Sequence, residues 1–187
     1  MEEFSDSELI KQYFEGNERA LNKLVERYFK QVFFFAKTYV KNDAEAEDMT
    51  QEVFVKAWKN LNKFEPEKKI KTWLFQITKN TCIDFLRKHK NFIAPESLDE
   101  QQMAENLERI IDKAPLPEEV FQAAEFSQKL EEALSRLPKI YETVVVLHLQ
   151  HDLTFQEISE VLDESINTIK SRYRRALLMI RGGFTKD

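Results

Sequence analysis

Apolar residues return at spacings of three and four along much of the chain, and that recurrence predicts helices. Ser5 and Glu8 have capping-box spacing, and behind them Ile10, Phe14, Ala20, Leu21, Leu24, Val25, Tyr28 and Phe29 recur at helical intervals. The Phe-rich stretch QVFFFAKTYV (31–40) predicts a further helix. In DAEAEDMTQEVFVKAWKNL (43–61), Met49, Val53, Phe54, Ala57, Trp58 and Leu61 form one stripe, with Asp48, Gln51, Glu52 and Val55 towards the other side. The polar stretch NKFEPEKKIK (62–71) interrupts the pattern. It resumes in TWLFQITKNTCIDFLRKHK (72–90), whose stripe is Trp73, Leu74, Ile77, Cys82, Phe85 and Leu86.

Periodicity then fades between residues 93 and 126, where Pro95, Pro115 and Pro117 break the chain and 9 acidic residues face 2 basic ones. Residues 1–92 carry a net charge of +2 and residues 127–187 are neutral, so this segment supplies the whole of the chain's −5. Prolines, acidity and weak periodicity are the marks of a linker. A surface loop inside one domain is the alternative, although so long a loop without structure is unusual in a compact domain.

Helical spacing returns with Phe126, Leu130, Ala133, Leu134 and Leu137, and Pro138 separates these from KIYETVVVLHLQ (139–150). The next stretch, DLTFQEISEVLDESINTIKSRYRRALLMIR (152–181), has the parts of a helix-turn-helix. Thr154 and Glu157 form a second capping box, Asp163 and Glu164 make the turn, and Ser165 is a good N-cap. The second helix has Ile169, Tyr173, Ala176, Leu177 and Ile180 inward, leaving Asn167, Lys170, Ser171, Arg174 and Arg175 outward. The expected fold is all-α: two small helical domains, 1–92 and 127–187, joined by an acidic flexible linker at 93–126, with a C-terminal helix-turn-helix.

Composition agrees with helices, since 33% of residues are charged and only 3 Gly are available for hairpin turns. The single cysteine, Cys82, excludes an internal disulfide framework and sits on an apolar stripe, where packing is the expected role. No apolar run reaches the roughly 18 residues of a membrane helix. The opening MEEFSDSE is acidic, the reverse of a signal peptide. The expectation is a cytoplasmic protein without direct membrane insertion.

Two basic regions carry candidate chemistry. Residues 61–92 hold Lys63, Lys68, Lys69, Lys71, Lys79, Arg87, Lys88 and Lys90, interleaved with Phe64, Trp73 and Phe75. Cations that track phosphates beside aromatic groups that receive unstacked bases suit a single-stranded nucleic acid; a solvated basic face over an aromatic core is the plainer reading. In the second region no Asp or Glu occurs from Ser165 to Arg181, against Lys170, Arg172, Arg174, Arg175 and Arg181. Spacings of three and four align Lys170 with Arg174 and Ser171 with Arg175, a ridge of a size to enter a major groove. Arg172 lies to the side of that ridge, in reach of a phosphate. His148 and His151 have HxxH spacing but no further metal-binding partner, and no phosphate loop, nucleophile elbow or paired-carboxylate pattern occurs. No metal, cofactor or enzymatic activity is expected.

Together AEDMTQEVFVKAW (46–58), KIKTWLFQITKNTCIDFLRK (69–88) and LPKIYETVVVLHLQHDLTFQEISEVLDESINTIKSRYRRAL (137–177) resemble the extracytoplasmic-function group of sigma-70-family RNA polymerase sigma factors. The motifs occur in the family's order and at its separations. That resemblance implies a transcription initiation factor that binds core RNA polymerase and directs it to promoter DNA. It assigns Asp48, Gln51 and Glu52 to the polymerase β′ clamp coiled coil. It assigns Lys63, Phe64, Lys69, Lys71, Trp73, Asn80, Asp84, Arg87 and Lys88 to recognition and opening of the minus-ten element. It assigns Asn167, Thr168, Lys170, Ser171, Arg172, Arg174 and Arg175 to the minus-thirty-five element, with the same module near the β flap. The acidic linker would thread towards the RNA exit channel, and an anti-sigma factor, membrane-bound in most relatives, would hold the protein inactive. Asn167 stands where many members have Gly, and Arg174 where many have an aromatic or aliphatic residue. Two other readings stay open: a helix-turn-helix regulator that works without polymerase, and an adaptor that mimics a sigma factor to sequester its inhibitor.

Overall fold

The structure, a computed structural model, describes residues 4–40, 42–65, 67–89 and 133–184. The expected linker, 93–126, and the start of the helix expected near Phe126 lie outside the described residues. Every regular element among the described residues is helical. The chain divides into two compact units, the first carrying helices α1 (Asp6–Phe14), α2 (Glu18–Val40), α3 (Asp43–Lys59) and α4 (Ile70–His89). The second carries α5 (Lys139–Leu149), the start of α6 (Phe155–Leu162) and α7 (Ile166–Phe184).

Helix α1 begins where the capping box predicts. Ser5 is extended, its Oγ accepts the Glu8 N–H at 3.3 Å, and Glu8 Oε2 accepts the Ser5 N–H at 2.7 Å. These hydrogen bonds hold the exposed Glu8 carboxyl below the usual carboxylate range, the Ser5 side chain contributing most. The helix ends at Gly16, whose φ of 97° is a left-handed conformation that side chains disfavour. A new helix starts at once, with Asn17 Oδ1 accepting the Arg19 N–H at 3.2 Å.

Helix α2 runs unbroken through the Phe-rich stretch that periodicity alone suggested as a separate helix. No Gly or Pro interrupts residues 18–40, and Ala20, Leu24, Tyr28, Val32, Phe35, Ala36 and Val40 continue one buried stripe. Around it pack α1, α3 and α4, and α3 packs in turn on α4. Phe35 is the centre of that arrangement: its ring lies 5.1 Å from Phe75 of α4 and 5.5 Å from Tyr39. Ala36, Val40, Ala46, Met49 and the buried Cys82 close one end of the core. Burying each large apolar side chain contributes roughly 1.5–3 kcal/mol. Two buried hydroxyls are satisfied locally, Thr50 donating to the Ala46 carbonyl at 2.7 Å and Thr78 to the Leu74 carbonyl at 2.8 Å.

In the second unit α5 is apolar nearly all round, with Tyr141, Val144, Val145, Val146 and Leu147 buried, and it packs on α7. Three successive valines disfavour a helix intrinsically; their burial outweighs that preference. Thr154 and Glu157 form the expected capping box, Glu157 Oε2 accepting the Thr154 N–H at 2.7 Å and Thr154 Oγ1 the Glu157 N–H at 3.3 Å. Asp163, at φ 58°, turns the chain, and Ser165 Oγ accepts the Thr168 N–H at 3.1 Å to cap α7. His148 holds this corner together. Its Nδ1 donates to the Leu153 carbonyl at 2.8 Å, and its ring stacks on Phe155 at 4.5 Å and meets Tyr173 edge-on at 4.9 Å.

Candidate nucleic-acid interface

On α3 the polar side is as expected. Asp48, Gln51 and Glu52 are exposed at helical spacing, and Glu52 pairs with Lys56 at 2.7 Å. Val55, half exposed in the midst of them, adds an apolar contact to an otherwise polar face. Opposite, Phe54 stacks on Phe29 at 6.2 Å and touches Trp58 at 5.7 Å, which locks the helix's rotation and so the direction of the exposed carboxylates.

The residues expected to handle the minus-ten element separate into two groups. Trp73, Asn80, Asp84 and Arg87 follow one another at spacings of seven, four and three and therefore share one side of α4, with Lys88 at its edge. Asn80, Asp84, Arg87 and Lys88 are exposed, while Trp73 is half-buried against Phe64, the ring centroids 5.3 Å apart. Lys63 is exposed in a short 3-10 turn, Leu61–Lys63, just before Phe64. Lys71, about 200° round the helix from Trp73, points elsewhere. With Lys69 and Phe64 it lines a cavity of about 600 Å³ whose other wall is Asp6, Ser7, Ile10 and Lys11 of α1. The contribution of α1 was absent from the sequence reading, because its only signal is contact across more than fifty residues. Phe75, grouped with the aromatic residues of the site on sequence, is fully buried against Phe35. That is a correction: two residues after Trp73 the side chain points into the bundle.

In the helix-turn-helix, Asn167, Lys170, Ser171 and Arg174 are exposed, whereas Arg175, expected outward beside Ser171, is half-buried, as is Thr168. Arg172 does not lie where the sequence reading put it. It is 6% exposed, on the buried stripe that Ile169, Ala176 and Ile180 complete, and its guanidinium reaches both Glu164 carboxylate oxygens at 2.7 and 2.6 Å. Tyr173, expected on that inward stripe, is displaced to half-burial beside Phe155 and His148. The reason is geometric: a stripe through 169, 172, 176 and 180 follows 3.6 residues per turn as well as one through 169, 173, 176 and 180. An arginine is admitted to it by a carboxylate in the turn. Among the described residues no group of three or more His, Cys, Asp or Glu side chains is placed to hold a metal ion, and no helix is long and apolar enough to cross a membrane.

Comparison with known proteins gives the family. Residues 24–92 match the family model of sigma-70 region 2, and residues 127–180 that of sigma-70 region 4. The chain is 30% identical over 173 residues to the ECF RNA polymerase sigma factor SigW of Bacillus subtilis, covering 92% of each chain. It is 35% identical over 162 residues to RNA polymerase sigma factor SigV of the same organism, covering 84% of this chain and 87% of that one. The fold resembles CnrH, solved in complex with the cytosolic domain of CnrY, at a TM-score of 0.67 and 24% identity over 97% of this chain and 98% of that one. Two family models in order, and relatives matched over nearly their whole length, show that the chain belongs to the extracytoplasmic-function sigma factors of the sigma-70 family.

Proposed function

We propose that this chain, an RNA polymerase sigma factor that acts in transcription initiation, divides promoter recognition between α7 and α4. The observation that carries the reading is the exposed ridge of Asn167, Lys170, Ser171 and Arg174 on a helix whose start is doubly determined, by the Asp163 turn and the Ser165 cap. Arg and Lys on such a ridge donate to guanine edges in a major groove, and Arg175 and Thr168 flank them towards phosphates. This fixes the position of the complex on the duplex.

Opening the minus-ten element is assigned to the α4 side that carries Trp73, Asn80, Asp84, Arg87 and Lys88, with Lys63, Phe64, Lys69 and Lys71 around the preceding loop. Unstacking a base costs a few kcal/mol, and a surface that binds the base only once it is unstacked supplies part of that energy. No covalent step is asked of this chain; phosphodiester synthesis belongs to the polymerase. Asp48, Gln51 and Glu52 dock on the β′ clamp coiled coil, and the helix-turn-helix domain lies near the β flap.

In this scheme residues 1–92 form the polymerase-binding and minus-ten domain, 93–126 the acidic linker and 127–187 the minus-thirty-five domain. The cytoplasm is the site of action. An anti-sigma factor governs access to the polymerase, a reading supported by the structure of the Bartonella quintana sigma factor RpoE in complex with the anti-sigma factor NepR.

The test is transcription from a genomic promoter library with core polymerase and the purified chain. Initiation at defined sites, lost in an Asp48→Ala, Gln51→Ala double variant together with core binding, is the expected result. Duplex binding that needs no polymerase would favour the plain regulator, and binding of an anti-sigma factor without any promoter would favour the sequestering adaptor.

A further inference from the structure

We infer that Arg172 serves promoter binding without touching DNA, as a positioning residue that neutralises Glu164 and fixes the turn of the helix-turn-helix. The inference rests on the assignment of α7 as the DNA-reading helix. Arg172 is the cation in the centre of the basic segment, and its side chain is only 8% exposed, against 27% for that of Glu164. One guanidinium nitrogen donates to Glu164 Oε1 at 2.7 Å and lies 2.6 Å from Oε2 as an ion-pair contact, so reaching a phosphate would require leaving the pair.

The location of Glu164 explains why the pair is needed. It follows Asp163, whose φ of 58° reverses the chain, and precedes Ser165, the N-cap of α7. Its own N–H donates to the Ser159 carbonyl of α6 at 3.1 Å, so this residue is the hinge pin between the two helices. The start of the reading helix is also where a duplex approaches most closely. A carboxylate there is favourable to the positive helix end but repels the phosphate backbone unless it is neutralised. Arg172, two turns along α7, supplies the counter-charge from the buried side and ties the turn to the helix that it aims. The pair is part-buried, and removing one partner of an ion pair withdrawn from water costs more than removing both, which gives the arrangement a signature.

The experiment uses the full chain with core RNA polymerase and a promoter fragment recovered by mapping transcript starts after forced expression. Affinity is measured across a salt series for the parent, Arg172→Ala and the double variant Arg172→Ala, Glu164→Ala, with the folded fraction of each measured by circular dichroism at the assay temperature. The expected result is at least about a tenfold loss of affinity per folded molecule in Arg172→Ala, recovered to within about threefold in the double variant. The slope of log affinity against log salt in the double variant should equal the parent's, because no phosphate contact has been removed. A loss equal in both backgrounds, with the slope reduced by about one, would make Arg172 a direct phosphate contact and overturn the inference. So would a loss that vanishes once the folded fraction is taken into account. Lys170→Ala and Arg174→Ala serve as controls: if neither weakens binding, it is the assignment of α7 that fails, whatever Arg172 does.

Discussion

Tyr28 of α2 donates its hydroxyl to Asp6 of α1 at 2.5 Å, and Arg27 pairs with the other oxygen of the same carboxylate. The two bonds tie the first helix to the bundle and with it the α1 wall of the cavity that Lys69 and Lys71 line. Burial, chiefly, and the hydrogen bond to Asp6 push the Tyr28 hydroxyl well above the usual tyrosine range. A raised folded-state value means stability that is fully present below the unfolded value of about 10 and is lost as pH rises through the folded one. Tyr28→Phe should therefore lower stability by about 0.5–1.5 kcal/mol at neutral pH and flatten part of the parent's alkaline loss. Denaturant melts of both proteins between neutral pH and pH 11 check this.

At the acid end the sign reverses. Glu8 is held low by Ser5, so its contribution is present above the ordinary carboxylate value and is lost as pH falls through the folded one. Ser5→Ala should move the Glu8 titration, followed by NMR, up towards its ordinary position.

Phe75→Ala tests whether that ring is core or site. With Phe35 at 5.1 Å and no exposure, the truncation should cost about 3–5 kcal/mol of stability in a chemical melt. A variant that melts like the parent yet opens promoters poorly would return Phe75 to the site.

Trp73→Ala is the complementary case, since Trp73 is only half-buried, against Phe64. Promoter opening followed by permanganate footprinting should fall by the equivalent of about 1–3 kcal/mol for a lost base-stacking surface. Core polymerase binding, measured in parallel, should stay at the parental level.

Thr154→Ala removes the cap of α6 and should cost about 1 kcal/mol, with promoter affinity per folded molecule unchanged, because Thr154 lies at the far end of α6 from the turn. Thermal melts and promoter titrations of the same preparations separate the two effects.

Helix positions, caps and the polarity of α3 were legible in the chain because they depend on residues within one or two turns of each other. Ser5 with Glu8, Thr154 with Glu157, and Ser165 with Thr168 are bonds between neighbours. The ridge of α7 was legible for the same reason. The continuity of α2 was not, since an apolar stripe tells where burial runs but not whether the backbone pauses between two segments of it.

By itself, then, the sequence determined which spans are helical, the turn, the acidic segment and the polar face of α3, through local spacing and charge. Only the tertiary structure decided which aromatic rings of α4 face inward, which lysines share a cavity with α1, and that Arg172 serves Glu164 rather than the surface. Those outcomes depend on which of two equally helical stripes meets a partner, and the partner's position is set by packing between residues far apart in the chain.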